Sequence, residues 1–443
     1  MKHKCDVCGQ KVVKGTATFK HPPREKSRDE IHTVPISITE KRNKPKITMV
    51  EPIFLNPNSF ENIIKILDAL KVSLRIGVER TWAYVGADGP PYVIMCKLRD
   101  EFPDKYGWIV PVCGLGHLYM NQQKTLVNIA RNIILEPLAK DVLHFESPNA
   151  IKYFFKCSDT HKTSQALHIL LFAVGLEMVR EYALYHTDKS VAGFLEWEPS
   201  NTFHVLKQLI FSYTLAVFVM KIGDRNNDVK VHEAGRYKFM ELFYGFPHPI
   251  YQEIEFRDLK QKCSMPNEIL EQRNRNLTYT ITDTPCKHQG GDFVLEGKVR
   301  RQKMMASKGV DSEKMWQTVS RGLDSIDSVI STTNSLLDMN ENDSDRHNNL
   351  TYEVLRFRAL LRHTKYLMKY NSQHNAYNMD GKPLATDIID LGPNCEANMK
   401  TYFKTMVKDG NVTRNVLNYL HVLPDDVMED LLFDIEDVDY EVF

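Results

Sequence analysis

The chain has 443 residues, with 57 Lys and Arg against 57 Asp and Glu, so its formal net charge is zero. That length fits roughly two or three domains, and a hydrophobic fraction of 42% with 19 Tyr and 21 Phe excludes global disorder. The neutral total is unevenly spread: nine carboxylates and no Lys or Arg lie between His421 and Phe443, so the first 420 residues carry nine excess positive charges.

The opening segment, MKHKCDVCGQ, lacks the apolar core of a signal peptide. Eight mostly scattered Cys then suit reduced thiols, inside the cell and in the nucleus by preference. Cys5 and Cys8 form one metal-like pair, but no second pair follows, so packing is expected there rather than zinc. Thr33 to Thr39 and Lys46 to Val50 read as strands. Asn58, with Glu61 three residues on, is set to cap a helix whose apolar face is Phe60, Ile63, Ile64, Leu67 and Leu70. Trp82 to Ala87 reads as a strand halted at Asp88-Gly-Pro-Pro, residues 92–102 as a short helix, and Trp108 to Cys113 as a second buried strand. A Gly114-Leu-Gly-His turn leads into a helix over Leu118 to Leu135. Strands alternating with helices predict an α/β sheet.

From Phe145 to Leu259 the helical period dominates. The longest apolar run, Leu209 to Met220, is broken by Ser212 and Thr214 and is short of the ~18–20 residues of a membrane span, so a buried helix and no membrane are expected. Gly290 to Glu296 opens a further helix, Trp316 to Ile330 is amphipathic, residues 331–350 read as a polar linker, and Tyr352 to Lys369 as a basic helix. The expected division is an α/β core over 1–144, a helical insertion over 145–262, a return to the core over 263–330, the linker 331–350, a helical region 351–420 and an acidic tail 421–443.

Metal-assisted phosphoryl chemistry needs carboxylates from distant parts of the chain gathered around Mg²⁺ or Mn²⁺. A ribonuclease-H-like arrangement takes one acid from the first strand, one from the end of the strand after the first helix, and one from a late helix. The predicted order puts Asp88 second, Glu296 or Asp292 third, and leaves only Asp6 for the first. The plain alternatives are a turn Asp before Gly for Asp88 and a carboxylate favoured in the first turn of a helix for Glu296. His117, just past a strand end, is a candidate to bind metal, position phosphate or donate a proton, with a packed His as its alternative. His161 reads as part of a helix start. Lys298, Arg300, Arg301 and Lys303, and the Arg-rich helix at 356–369, are candidate phosphate contacts, with a solvated face as their alternative. No phosphate loop, dinucleotide fingerprint or nucleophile elbow occurs.

Trp82-Ala-Tyr-Val-Gly-Ala-Asp-Gly-Pro-Pro-Tyr, Pro111-Val-Cys-Gly-Leu-Gly-His-Leu-Tyr-Met-Asn-Gln and Ser158-Asp-Thr-His-Lys resemble motifs of a domain family of unknown function. The match continues through Gly235-Arg-Tyr-Lys-Phe, Tyr251-Gln-Glu-Ile-Glu-Phe-Arg-Asp-Leu and Gly290-Gly-Asp-Phe-Val-Leu-Glu, and spans about residues 30–330. That family occurs in many near-copies in cnidarians, molluscs and other invertebrates, with distant fungal relatives, and looks transposon-derived. The resemblance implies a ribonuclease-H-like mixed sheet interrupted by a large all-helical insertion, with Asp88 as second acid, Glu296 as third and His117 near the site. It does not extend to Asp6: a fuller relative carries Asp-Asn near its first strand, where Val7 follows Asp6 here. The chain is therefore expected to be shortened relative to a complete transposase. Two functions compete: a metal-dependent DNA nuclease or strand-transferase, and an inactive, domesticated DNA-binding or protein-interaction protein.

Overall fold

A computed structural model describes residues 52–246, 248–280, 287–305, 312–336 and 349–408, together with His3–Lys4 and Lys11–Val12. The chain forms two compact units, Met1–Ile36 and Ser37–Phe443. In the first, β1 (His3–Lys4) and β2 (Lys11–Val12) pair antiparallel, His3 opposite Val12. Asp6, Cys5, Cys8, the strands expected at 33–39 and 46–50, and the acidic tail lie outside the described residues.

The second unit opens with α1 (Phe60–Ser73). Its cap is Ser59, which accepts from the Asn62 amide at 3.2 Å, and not Asn58 as the spacing suggested. Then come β3 (Ala83–Ala87), α2 (Gly89–Glu101), α3 (Pro103–Tyr106) and β4 (Ile109–Cys113). β3 and β4 pair in parallel with Ala83 opposite Ile109 and Ala87 opposite Cys113, so both strands end side by side. Parallel neighbours need a crossover, and α2 with α3 provides it. Ile63, Leu67, Met95, Leu98, Tyr106, Trp108 and Ile109 fill the space between α1, α2 and the sheet. Each such buried side chain contributes about 1.5–3 kcal/mol relative to exposure.

α4 (Leu115–Ala130) starts directly after β4, three residues ahead of the expected Leu118, and runs through a π-helical turn, Arg131–Leu135. A helical block follows: α5 (Pro148–Phe155), α6 (Thr160–Tyr185), α7 (Val191–Glu196), α8 (Asn201–Lys207), α9 (Leu215–Asn226), α10 (Val229–Gly245), α11 (Pro249–Ser264) and α12 (Asn267–Arg275). Asp159 caps α6 by accepting from the His161 and Lys162 amides, as expected for a helix start. α8 and α9 are joined by a π-helical segment, Gln208–Thr214, into one continuous apolar helix. Asn201–Asn226 is long and apolar enough to cross a membrane, with a mean hydropathy of 1.6, but 72% of that window is buried inside the protein. Phe203, Leu206, Leu209, Ile210, Ala216, Val217 and Met220 form part of the largest core with α4 and α6.

The chain ends with α13 (Gly291–Met305), α14 (Glu313–Leu336), α15 (Thr351–Thr364), α16 (Tyr366–Lys369), α17 (Thr386–Ile389) and α18 (Leu391–Lys408). Two expectations change here. α14 continues into the supposed linker as far as Leu336. The basic helix breaks at Lys365, which takes a left-handed φ of 52°. The C-terminal helices pack on the helical block, α15 on α6 and α18 on α10, where Met399 and Phe403 join Tyr237, Met240 and Phe256. The result is a mostly helical α/β chain around a two-stranded parallel sheet.

Candidate active site at the carboxyl ends of the strands

The two strands stop together: Gly114 N–H donates to Ala87 O at 3.0 Å. Each hands over at once to a helix, so the N-termini of α2 and α4 open side by side with their unpaired amides and positive dipole ends. Asp88 is the cap of α2 and accepts from Gly89 N–H at 2.6 Å. Pro90 and Pro91 fill the first turn, where a missing N–H costs nothing.

α4 has no cap of its own, because its N-cap is Gly114. The missing acceptor arrives from α13. Asp292 accepts from Gly116 N–H at 3.0 Å, from His117 N–H at 3.0 Å and from His117 Nδ1 at 3.0 Å. The Gly-Leu-Gly spacing exists for this approach. A Cβ on Gly114 would come within 2.5 Å of the Asp292 carboxylate, and one on Gly116 within 2.8 Å of the Phe293 ring. Burial pushes the Asp292 carboxyl up, but the His117 ring and the two amides outweigh it and hold it below the usual range. In return the hydrogen bond to Asp292 raises the His117 imidazole, against the opposing effect of burial and with help from Asp88 and Glu296.

With Nδ1 engaged, His117 turns Nε2 outward. Asp88 Oδ2 and Glu296 Oε1 each lie 3.6 Å from that nitrogen, so the two carboxylates are no more than twice that distance apart. Both are accessible, with 48% of the Asp88 side chain and 47% of the Glu296 side chain exposed, against 17% for Asp292. The carboxylates on α13 therefore divide the work: Asp292 is consumed in holding the helix and the imidazole, and Glu296, one turn on, stays open.

A second layer supports Asp88. Tyr251 Oη on α11 lies 3.5 Å from Asp88 Oδ1 and accepts from Asn121 Nδ2 at 2.7 Å, while the same amide donates to His117 O at 2.8 Å. Burial, with Cys113 and Asp88 nearby, pushes the Tyr251 phenol well up, so it stays a donor. On the inner side of α13, Lys221 Nζ sits 4.1 Å from the Tyr119 ring centre and 5.4 Å from that of Phe293, and burial together with Arg225 pushes it down to about 8.

Behind the sheet lies a buried ion network, with only Glu233 partly open to solvent. Arg236 pairs with Glu255 at 2.9 Å and Asp258 at 3.0 Å; Lys262 reaches Asp258 at 3.0 Å and Glu233 at 2.7 Å; Arg273 completes it on Asp258. Gln261 ties this network to β4 by donating to Pro111 O at 3.0 Å.

Of the residues singled out in the sequence, the structure gathers Asp88, His117 and Glu296, while Asp6 is outside the described residues. Arg300 is exposed on α13, two turns beyond Asp292; the side chains of Lys298, Arg301 and Lys303 are outside the described residues. The Arg-rich helix is not a free basic face. Arg358 and Arg362 donate to the buried Glu177 at 2.7 and 2.6 Å, and Arg356 is held against His144. Tyr251, Asn121 and Lys221 were not anticipated as site residues, although Asn121 and Tyr251 lie within the quoted motifs; Lys221 carried no such signal. Among the described residues, no group of three or more His, Cys, Asp and Glu side chains forms a metal cage. Comparison with family models, with curated proteins and with solved structures finds no match to this chain.

Proposed function

We propose that the chain is a transposase-derived, metal-dependent phosphoryl-transfer protein acting on DNA, with its active site at Asp88, His117 and Glu296. The observation that carries this reading is the convergence of Asp88, from the end of a parallel strand, and Glu296, from a helix 208 positions later, on one imidazole nitrogen at 3.6 Å each. The element order from α1 to β4, followed after the helical block by the acid-bearing α13, supports a ribonuclease-H-like core.

The donor set suits a hard divalent cation of the Mg²⁺ or Mn²⁺ type, which takes one or two carboxylates and keeps several waters, so the lack of a complete cage among the described residues is no obstacle. Asp88 and Glu296 would hold it, since Asp292 has no oxygen to spare. Once bound, such a cation supplies Lewis-acid polarisation of a phosphoryl oxygen. The chain itself does the rest. The α2 cap fixes Asp88 through Oδ1, the oxygen that Tyr251 also approaches, which leaves Oδ2 toward His117, and Asp292 fixes the His117 ring so that Nε2 faces the open side, placed to hold or release a proton.

One observation favours a second reading, an inactive DNA-binding or interaction protein: the His117 ring already occupies the place between the two carboxylates, 3.6 Å from each. A cleavage assay with Mg²⁺ or Mn²⁺ decides. The nuclease reading expects nicking by the wild type and a loss of at least about 100-fold in Asp88→Asn and in Glu296→Gln, comparable to removal of a transition-state stabilising group. Activity unchanged in Asp88→Asn, or none in the wild type, overturns it.

A further inference from the structure

The outer face of α4 carries a stripe of polar and basic side chains that begins at the candidate site. His117, Asn121, Lys124, Asn128 and Arg131 recur at i, i+4, i+7, i+11 and i+14, and at about 100° per residue they fall on one helix face. With a rise of about 1.5 Å per residue the stripe is about 21 Å long. Lys124, Asn128 and Arg131 are exposed. α5 packs on α4 and adds exposed Lys152 and Lys156, and the Arg131 guanidinium lies 4.5 Å from the Phe155 ring centre, anchored at the junction. Lys124 lies close enough to Cys157 and His248 for its charge to act on both.

This face contains no acid. From Leu115 to Leu135 and throughout α5 there is no Asp or Glu. Two carboxylates near its borders are already engaged, Glu136 by Lys140 at 2.7 Å, with Arg131 acting on it only at longer range, and Asp159 in capping α6; Glu146, just before the α5 cap, is exposed, and Asp88, Asp292 and Glu296 surround only the His117 end. Elsewhere the surface mixes signs, as in Lys65 with Glu61, Lys105 with Asp68 and Lys400 with Glu396. Exposed cations gathered without acids repel one another, whereas a polyanion lying on them releases its condensed counterions into solution.

We propose that this face of α4 and α5 is the track on which a DNA phosphate backbone lies as it enters the Asp88, His117 and Glu296 site. The proposal rests on the phosphoryl-transfer reading for its direction, but the binding it predicts can be measured without cleavage. It adds to the candidate contacts on α13 and α15 a face the sequence reading passed over; on α15, Arg358 and Arg362 are already paired with Glu177.

The test is fluorescence anisotropy of the full chain with labelled duplex and single-stranded DNA across a salt series. Each phosphate contact contributes a slope of about 0.9 in log K against log salt for duplex and about 0.7 for single strands. Lys124→Gln/Arg131→Gln is expected to lower the duplex slope by about 1.8, and Lys124→Gln alone, at an exposed position that folding does not need, by about 0.9. Lys400→Gln on α18 is expected to change nothing. A slope unchanged in both track variants overturns the proposal, as does binding to anionic lipid vesicles with the same Lys124 dependence but no binding to DNA. If the slope falls as expected while wild type shows no metal-dependent cleavage, the track stands and the nuclease reading fails. Cleavage with an unchanged slope gives the reverse.

Discussion

The open site at the strand ends and the buried network behind the sheet each hold three carboxylates, yet they treat charge in opposite ways. In the network, Arg236, Lys262 and Arg273 face Glu233, Glu255 and Asp258, and Arg236 and Glu255 are 2% and 0% exposed. Charges removed from water cost several kcal/mol each unless matched, so every one has a partner. At the site, Asp88, Asp292 and Glu296 share a single imidazole, and two of the three remain about half exposed. Water tolerates that surplus, and a cation or a reacting group can use it. Matched and buried charge reads as architecture; surplus and accessible charge reads as chemistry.

The strongest way to break this contrast is to remove one charge from each region. Arg236→Met should destabilise the chain by about 3–5 kcal/mol, because Glu255 and Asp258 would be left buried without their main partner. Asp88→Asn should stay within about 0.5 kcal/mol of wild type, since Asn caps a helix as well as Asp and the site loses only a like charge. Denaturant unfolding of both proteins checks this. Equal effects would mean that the site charges are structural too.

The next effect tests whether Asp292 belongs with the architecture, although it touches the site. Its two oxygens serve Gly116 N–H, His117 N–H and His117 Nδ1. Asp292→Asn replaces one accepting oxygen by an amide that cannot accept, at a helix N-terminus that favours negative charge. A loss of about 1.5–3 kcal/mol is expected, the range for hydrogen bonds to a charged group, with faster hydrogen exchange at the start of α4. Unchanged exchange there would show that α4 does not depend on the cap supplied by α13.

Much of this was legible in the sequence where a local rule governs. Asp88 before Gly-Pro-Pro announces a strand end and a helix start, and Glu296 at the head of a helix announces an accessible acid. What could not be read is pairing across the chain. Nothing local distinguishes Asp292 from Glu296; only the approach of α13 to Gly114 and Gly116, about 175 positions earlier, separates the acid that holds from the acid left open. The same holds for Gly235-Arg-Tyr-Lys-Phe and Tyr251 to Leu259. Their charged residues gave the chain its most distinctive segments, yet Arg236, Glu255 and Asp258 turn inward onto one another, while Tyr251 alone reaches the site. The Arg-rich helix shows the same limit: a single buried Glu177 on α6, invisible as a partner in the sequence, takes up Arg358 and Arg362.

That clamp is intermediate between the two regions, a buried carboxylate held by arginines that still reach water, and it yields the smallest prediction. Glu177 is 1% exposed, while Arg358 and Arg362 are 22% and 45% exposed. Burial pushes the Glu177 carboxyl up, but the hydrogen bonds from Arg362 and Arg358 outweigh it, so it sits below its ordinary 4.5. A carboxyl depressed in the folded chain stabilises it fully above the unfolded value, and that stability is lost as pH falls through the folded value. Stability should therefore hold on acidification to about pH 5 and then fall, with α15 loosening from α6. Glu177→Gln should be weaker at neutral pH and should lose that part of the acid transition, because it has no proton to gain. Hydrogen exchange in α15 across a pH series distinguishes the cases. An acid response identical in wild type and Glu177→Gln would mean that the arginines hold α15 through packing alone, and that charge buried in this chain need not be matched to matter.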